Sequence, residues 1–152
     1  EDNSLEGDFY TLETADWVNI IAITPDENVV LIRQFRHGTN EFTLEIPGGL
    51  IDEGEEPAVT AARELREETG YVVDDPVLIG TVEPNPAIQS NLCHTFLVQN
   101  ARPEEDQDLE YLEEIDVLEK PLDQIPELLQ DGSIKHALVV AAFHYLRLWE
   151  RN

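Results

Sequence analysis

What this chain has little of already excludes several functions. Its 152 residues include one cysteine, Cys93. A single thiol makes no internal disulfide and no cysteine zinc site, and it fits a reducing compartment, so a cytoplasmic location is expected. Methionine is absent, the initiator included, so the native N-terminus is expected upstream or trimmed. No apolar run approaches the roughly 20 residues of a membrane span. The opening segment 1–7 is acidic and polar, unlike a secretory signal. Cations are the scarcest feature: nine Lys plus Arg stand against 33 Asp plus Glu, a formal net charge of −24. Nucleic-acid binding needs clustered cations, and an anionic membrane repels such a surface, so neither partner is expected. An anionic substrate would need a local reversal of the field, which a divalent metal supplies. Two of the nine cations are Lys and seven are Arg. An acid-rich, Lys-poor surface suits a high-salt cytoplasm, where screening removes self-repulsion; an ordinary acidic protein carries the same composition.

What remains is enough for one folded unit. With 41% hydrophobic residues the chain can bury a core, and its length is that of one domain, expected over residues 1–152. Trp17–Thr24 is a β-branched apolar run ended by the turn signal Pro25-Asp26-Glu27-Asn28, and Val29–Phe35 reads as the second arm of a hairpin. Phe42–Ile46 predicts a short strand stopped by Pro47-Gly48-Gly49. The period then changes: Ala58, Ala61, Ala62 and Leu65 fall on the i, i+3, i+4, i+7 template of a helix over Pro57–Thr69. Pro57 suits its first turn, Glu55 and Glu56 its positive end, and Gly70 its stop. Val77–Val82, Leu92–Val98 and Ile115–Glu119 predict strands. Pro121–Gln130 predicts a short helix, and Ser133 a cap for a last helix from about Ile134 to Trp149. Strands, one helix, strands and two helices make a mixed α+β chain, a sheet with helices on its faces.

One segment carries chemistry. On the predicted helix Glu64, Glu67 and Glu68 are spaced i, i+3 and i+4, so they project together while Ala58, Ala61, Ala62 and Leu65 face the core. Like charges so placed destabilise an isolated helix by a few tenths of a kcal/mol per pair. Clustered carboxylate oxygens are what Mg²⁺ or Mn²⁺ requires. Gly48 and Gly49 permit a sharp turn that brings a carbonyl close to the same face. Arg63 is i, i+4 to Glu67 and can orient that carboxylate. The bland alternative is a solvated acidic helix face in an acid-rich chain.

The residues from Gly49 to Tyr71 also carry a resemblance. Gly, five residues, Glu55, seven residues, then Arg63-Glu64-Leu65-Arg66-Glu67-Glu68-Thr69-Gly70-Tyr71 is similar to the Nudix box, with Tyr71 at the final apolar position as its one soft point. The resemblance implies the Nudix fold, an α/β/α sandwich around a mixed sheet with the box helix packed on it, and hydrolysis of nucleoside diphosphates linked to another moiety. It implies Gly48, Glu64, Glu67 and Glu68 as ligands of Mg²⁺ or Mn²⁺, with Glu55 in support. Arg33-Gln34-Phe35-Arg36 followed by Glu45-Ile46-Pro47-Gly48-Gly49 resembles the ADP-ribose and nucleotide-sugar pyrophosphatase branch, as does Pro86, fifteen residues past Tyr71. Arg36 is the better candidate for a phosphate clamp, because a guanidinium fork matches phosphate oxygens; Arg33 and Pro86 are further candidates near the substrate. Arg33 lies on the opposite strand face from Arg36, and its alternative is a surface ion pair. The stretch Asn85–Asn91 is a candidate pocket wall. The branch draws its general base from a late acidic loop, where Glu113 is the candidate and Glu110 the reserve; Glu67 is a third possibility. Trp17 and Phe9 are candidates to stack on a nucleobase or to pack at a dimer interface, and the resemblance implies a homodimer. His37, His94, His136 and His144 lack metal-ligand spacing and read as structural.

The expected function is therefore metal-dependent hydrolysis of an ADP-ribose-like nucleotide sugar at its pyrophosphate. Its rivals are a Nudix hydrolase of an oxidised nucleotide or dinucleoside polyphosphate, and a ligand sensor without catalysis. An acidic calcium module is disfavoured because no Asp-x-Asp-x-Asp-Gly loop occurs.

Overall fold

A computed structural model describes residues 7–109 and 111–151. The strands are β1 (Trp17–Ile23), β2 (Asn28–Arg36), β3 (Glu41–Glu45), β4 (Gly48–Leu50), β5 (Tyr71–Val72), β6 (Val77–Val82), β7 (Cys93–Gln99), β8 (Arg102–Pro103) and β9 (Ile115–Pro121). The helices are α1 (Pro57–Thr69), α2 (Ile125–Gln130) and α3 (Ala137–Trp149), with a single 3₁₀ turn at Leu122–Gln124.

The main sheet runs β3-β2-β1-β7-β6, with β4 alongside β1 and β9 alongside β2. Its centre is the parallel pair β1–β7, in register from Trp17 opposite Cys93 to Ile23 opposite Gln99. β2 meets β1 at the hairpin end, Ile23 opposite Val29, and then leaves it for β3 and β9. The site forms at the opposite end of the sheet from the hairpin, where the start of β1, the end of β2 and β4 meet.

Period-2 alternation explains two cores. Ile21 of β1 faces a cluster with Val29, Leu31 and Leu97, closed by Ile125, Ile134, Val139, Ala142, Phe143 and Leu146 of the C-terminal helices and their linker. Val18, Ile20 and Ala22 point the other way, onto Val30, Phe96 and Val98, closed by Ala61 and Leu65 of α1. Full burial of a side chain such as Leu65 contributes about 1.5–3 kcal/mol. Helices on both faces of a mixed sheet are the α/β/α arrangement expected from the sequence.

Three local expectations are corrected. The chain does stop after β3, but Gly48 and Gly49 of the Pro47-Gly48-Gly49 segment themselves belong to β4, which pairs with β1 so tightly that a Cβ on Gly48 would collide with the Val18 carbonyl. The helix expected over Pro121–Gln130 is broken: Pro121 belongs to β9, and Pro126 has no N–H to continue the ladder from the 3₁₀ turn. Ser133 caps nothing at α3, which starts at Ala137 with His136 as its N-cap. Ile134 is instead buried, its N–H bonded to the Leu128 carbonyl, which turns the chain back over α2 before α3 can begin.

Candidate active site

Helix α1 keeps the expected bounds because its signals are local. Pro57 sits in its first turn, and Gly70 ends it in the left-handed region at φ 73°. One face, Ala61 and Leu65, is buried against the sheet. The other turns Glu64, Glu67 and Glu68 toward β4 and the start of β1.

Arg63 organises these acids. Its Nη1 donates to Glu64 Oε1 at 2.8 Å and to Glu67 Oε2 at 3.0 Å, while Nε and Nη2 donate to the Glu55 carboxylate at 3.2 and 3.0 Å. Glu55 also accepts from Thr60 Oγ1 at 2.8 Å. The bonds to Glu55 hold the Arg63 pKa above its ordinary value, and those same bonds hold the Glu55 carboxyl below its own.

Glu68 differs. It is 4% exposed and accepts the Gly48 N–H at 2.9 Å. Burial pushes its pKa up to about 8, against that hydrogen bond, with the charges of Glu64 and Glu113 pushing the same way. Burial also raises Glu64, whose carboxylate lies where a Cβ on Gly49 would be. Gly48 is thus required by its close approach to the β1 backbone, while Gly49 leaves the Glu64 carboxylate its place.

Opposite the acids stands Arg36 at the end of β2. Glu45 grips it with both oxygens, and that bond raises the guanidinium pKa. Burial alone would raise the Glu45 carboxyl, but the bonds from Arg36 and Thr43 outweigh it and hold it below the ordinary range.

These groups share one cavity of about 280 Å³, lined by Arg63, Glu64, Glu67, Glu68, Gly48 and Gly49, and on its far side by Trp17, Arg36, Asp108 and Glu113. Of the residues singled out from the sequence, Glu55 joins it through Arg63. Arg33 lies outside, paired with Asp116 at 3.7 Å on the surface and stacked over Phe42. Pro86 is exposed in the Asn85–Asn91 loop, whose Ile88 carbonyl accepts the Leu12 N–H of the N-terminal stretch. Phe9 is exposed, and Glu110 falls outside the described residues. His94 bonds Thr81 and lies 3.6 Å from Asp16. A larger recess, about 630 Å³, opens beside Val72, Val77, Arg102 and Trp149, and no residue of the Gly49–Tyr71 segment lines it.

A NUDIX domain profile matches residues 14–143. The chain belongs to the NUDIX family. An ADP-ribose pyrophosphatase of Bacillus subtilis is 32% identical over 134 residues, which span 88% of this chain and 72% of that protein. A GDP-mannose pyrophosphatase of Shigella flexneri is 34% identical over 80% of this chain and 68% of its own. A crystal structure of an ADP compounds hydrolase superposes with a TM-score of 0.81 at 29% identity, over 90% of this chain and 72% of that one. The protein is a Nudix pyrophosphohydrolase.

Members of the family generally use a divalent metal. The Nudix box residues here fit one: their donors are hard carboxylate oxygens, and Glu68 is a desolvated carboxyl facing two further acids. Among the described residues no three such groups already converge on one point; Arg63 stands between Glu55, Glu64 and Glu67 instead.

The bracing roles of four residues were not read from the sequence. Gln107 donates to the Glu68 carbonyl at 2.6 Å and to the Ile115 carbonyl at 3.1 Å, and the Asp108 N–H donates to the Glu67 carbonyl at 2.9 Å. They staple the loop bearing Glu113 to the end of α1. Glu45 and Asn19 act on Arg36 and Trp17 from neighbouring strand positions. No local signal marks the roles of Gln107 and Asp108, which bond across to α1 from a loop some forty residues on, and Asn19, two residues from Trp17, shares its strand face by period alone.

Proposed function

We propose that this Nudix enzyme hydrolyses the pyrophosphate of a nucleoside diphosphate sugar, ADP-ribose-like, to a nucleoside monophosphate and a sugar phosphate. The observation that carries the reading is one cavity holding a carboxylate cluster on one side and a braced arginine on the other. The pyrophosphatase names of the relatives support the same substrate class.

Glu64, Glu67, Glu68 and the Gly48 carbonyl would hold Mg²⁺ or Mn²⁺, with Glu55 in support; the metal would neutralise the diphosphate and lower the pKa of a bound water. Glu113 acts as general base. It takes the proton as the water oxygen bonds phosphorus and the bridging P–O bond breaks, its electron pair leaving with the departing phosphate. Glu67 is the second candidate for that task. Arg63 keeps Glu55, Glu64 and Glu67 oriented. Arg36 meets phosphate oxygens with the guanidinium edge not committed to Glu45. Trp17 walls the substrate's path, and Arg33 and Pro86 serve the substrate from outside the cavity, where a second copy of the chain in a homodimer would bring partners to them. A cytoplasmic enzyme is in keeping with the single buried thiol. No helix among the described residues is long and apolar enough to cross a membrane.

The test is a panel of nucleotide sugars, oxidised nucleotides and dinucleoside polyphosphates with Mg²⁺, products separated by chromatography. Release of a nucleoside monophosphate from ADP-ribose above the other classes is expected. Preference for an oxidised nucleotide, or no turnover of any, overturns the reading.

A further inference from the structure

We infer that Asn19 is a positioning residue for the substrate, acting through Trp17. The inference rests on Trp17 being a wall of the substrate cavity, as proposed above. Trp17 and Asn19 are two apart on β1 and project from the same side of the strand. The indole Nε1–H donates to Asn19 Oδ1 at 2.9 Å. Both lie against the glycine turn: a Cβ on Gly48 would come within 3.0 Å of Asn19 Oδ1 and 3.1 Å of Trp17 Nε1. The indole lines the cavity, and the Arg36 guanidinium carbon stands 6.0 Å from its ring. One hydrogen bond therefore fixes an aromatic plate between the Gly48 backbone and the phosphate-facing arginine.

The burial around Asn19 argues that this bond serves something other than folding. Asn19 is 3% exposed, in a strand whose Val18, Ile20, Ile21 and Ala22 are wholly buried and apolar. Its Nδ2 is buried with no partner among the described residues. A buried amide with an idle donor is less stable than an apolar side chain of similar size. Valine would suit the strand better, and what valine lacks is an acceptor for the indole. A tryptophan held in one rotamer has lost its side-chain freedom before substrate arrives, so the ordering cost does not fall on binding. Removing the bond should therefore weaken substrate binding and leave the chemical step alone.

The experiment is a double-mutant cycle on ADP-ribose with Mg²⁺, read beside acrylamide quenching of Trp17 in a Trp149→Phe background, which removes the other tryptophan. Asn19→Val is expected to raise KM about five- to tenfold, the loss of one hydrogen bond. It should leave kcat within about twofold, keep Tm at or above wild type, and increase quenching of Trp17. Trp17→Phe removes the N–H and should raise KM at least as much; Asn19→Val placed on it should then add almost nothing. An unchanged KM in Asn19→Val, a full additional loss on Trp17→Phe, or an Asn19→Val chain that fails to fold overturns the inference while wild-type activity stands. A wild type inert on the whole nucleotide panel overturns the proposed function, and this inference with it.

Discussion

Arg36 and Glu45 meet diagonally across two strands. The residue opposite Arg36 on β3 is Glu41, yet Arg36 bonds Glu45, which sits opposite Ile32 four positions further along. Nε reaches Glu45 Oε1 at 2.9 Å and Nη2 reaches Oε2 at 2.8 Å, while Thr43, between them in sequence, donates to the same carboxylate. The arginine is folded back along the sheet and held by a carboxylate that is itself 3% exposed. Such a fork is pre-organised for a phosphate in a way that a free surface arginine is not.

Replacing Arg36 should separate binding from folding. Arg36→Lys keeps the charge and loses the fork, and is expected to raise KM by one or two decades, worth ~1.5–3 kcal/mol, with kcat little changed. Arg36→Ala leaves Glu45 buried without its partner and should cost about 3 kcal/mol of stability. Arg36→Ala with Glu45→Gln should recover much of that stability and none of the KM. Urea denaturation and steady-state kinetics on the same three variants check both halves.

The same pair sets an acid limit. The bonds from Arg36 and Thr43 hold the Glu45 pKa below its unfolded value in spite of burial. Between the unfolded and the folded pKa only the unfolded state takes up a proton, while above the unfolded carboxylate range both states are deprotonated and the pair's contribution is fully present. It falls away as pH drops through the folded pKa. Glu45→Gln should be less stable than wild type at pH 7, and the gap should close steadily from about pH 4.5 downward. Thermal melts between pH 3 and 7 measure this; a gap that stays constant with pH refutes it.

Glu113 should fail through chemistry alone. Glu113→Gln is expected to lower kcat by ~10²–10⁴ with little change in KM, and the deficit should shrink as pH rises and hydroxide replaces the base. A silent Glu113→Gln with an impaired Glu110→Gln would move the base within the loop. Silence of both would move it to Glu67.

Glu68 should trade stability for function. Glu68→Gln removes a desolvated carboxyl yet keeps an oxygen for the Gly48 N–H. Without metal its Tm should be no lower than wild type. Its turnover at saturating Mg²⁺ should fall by orders of magnitude, since the exchanged oxygen is a ligand in this reading. Wild type should gain stability on adding Mg²⁺ or Mn²⁺, about 2.7 kcal/mol at a hundredfold excess over Kd, and the variant much less. Differential scanning fluorimetry with and without EDTA reads both. Activity of wild type in EDTA would remove the metal from the mechanism.

The sequence by itself determined what depends on neighbours along the chain. Helix α1 from Pro57 to Thr69 was legible to the residue, because its apolar period, its opening proline and its closing glycine act over one or two turns. So was the grouping of Glu64, Glu67 and Glu68 on one face, and the opposite facing of Arg33 and Arg36, since both follow from a helical or strand period. The spacing of the Nudix box carried the family. Only the tertiary structure decided which arginine faces the cavity. Strand period says that Arg33 and Arg36 diverge, but the α1 side of the sheet is chosen by packing, and Arg33 ends beside Asp116 instead. The short strand β4, the late start of α3, and the bracing of Arg36 by Glu45 and of the Glu113 loop by Gln107 were likewise set by strand register and by chain segments up to tens of residues apart. Such contacts carry no local propensity, because their free energy exists only once the sheet has brought the partners together.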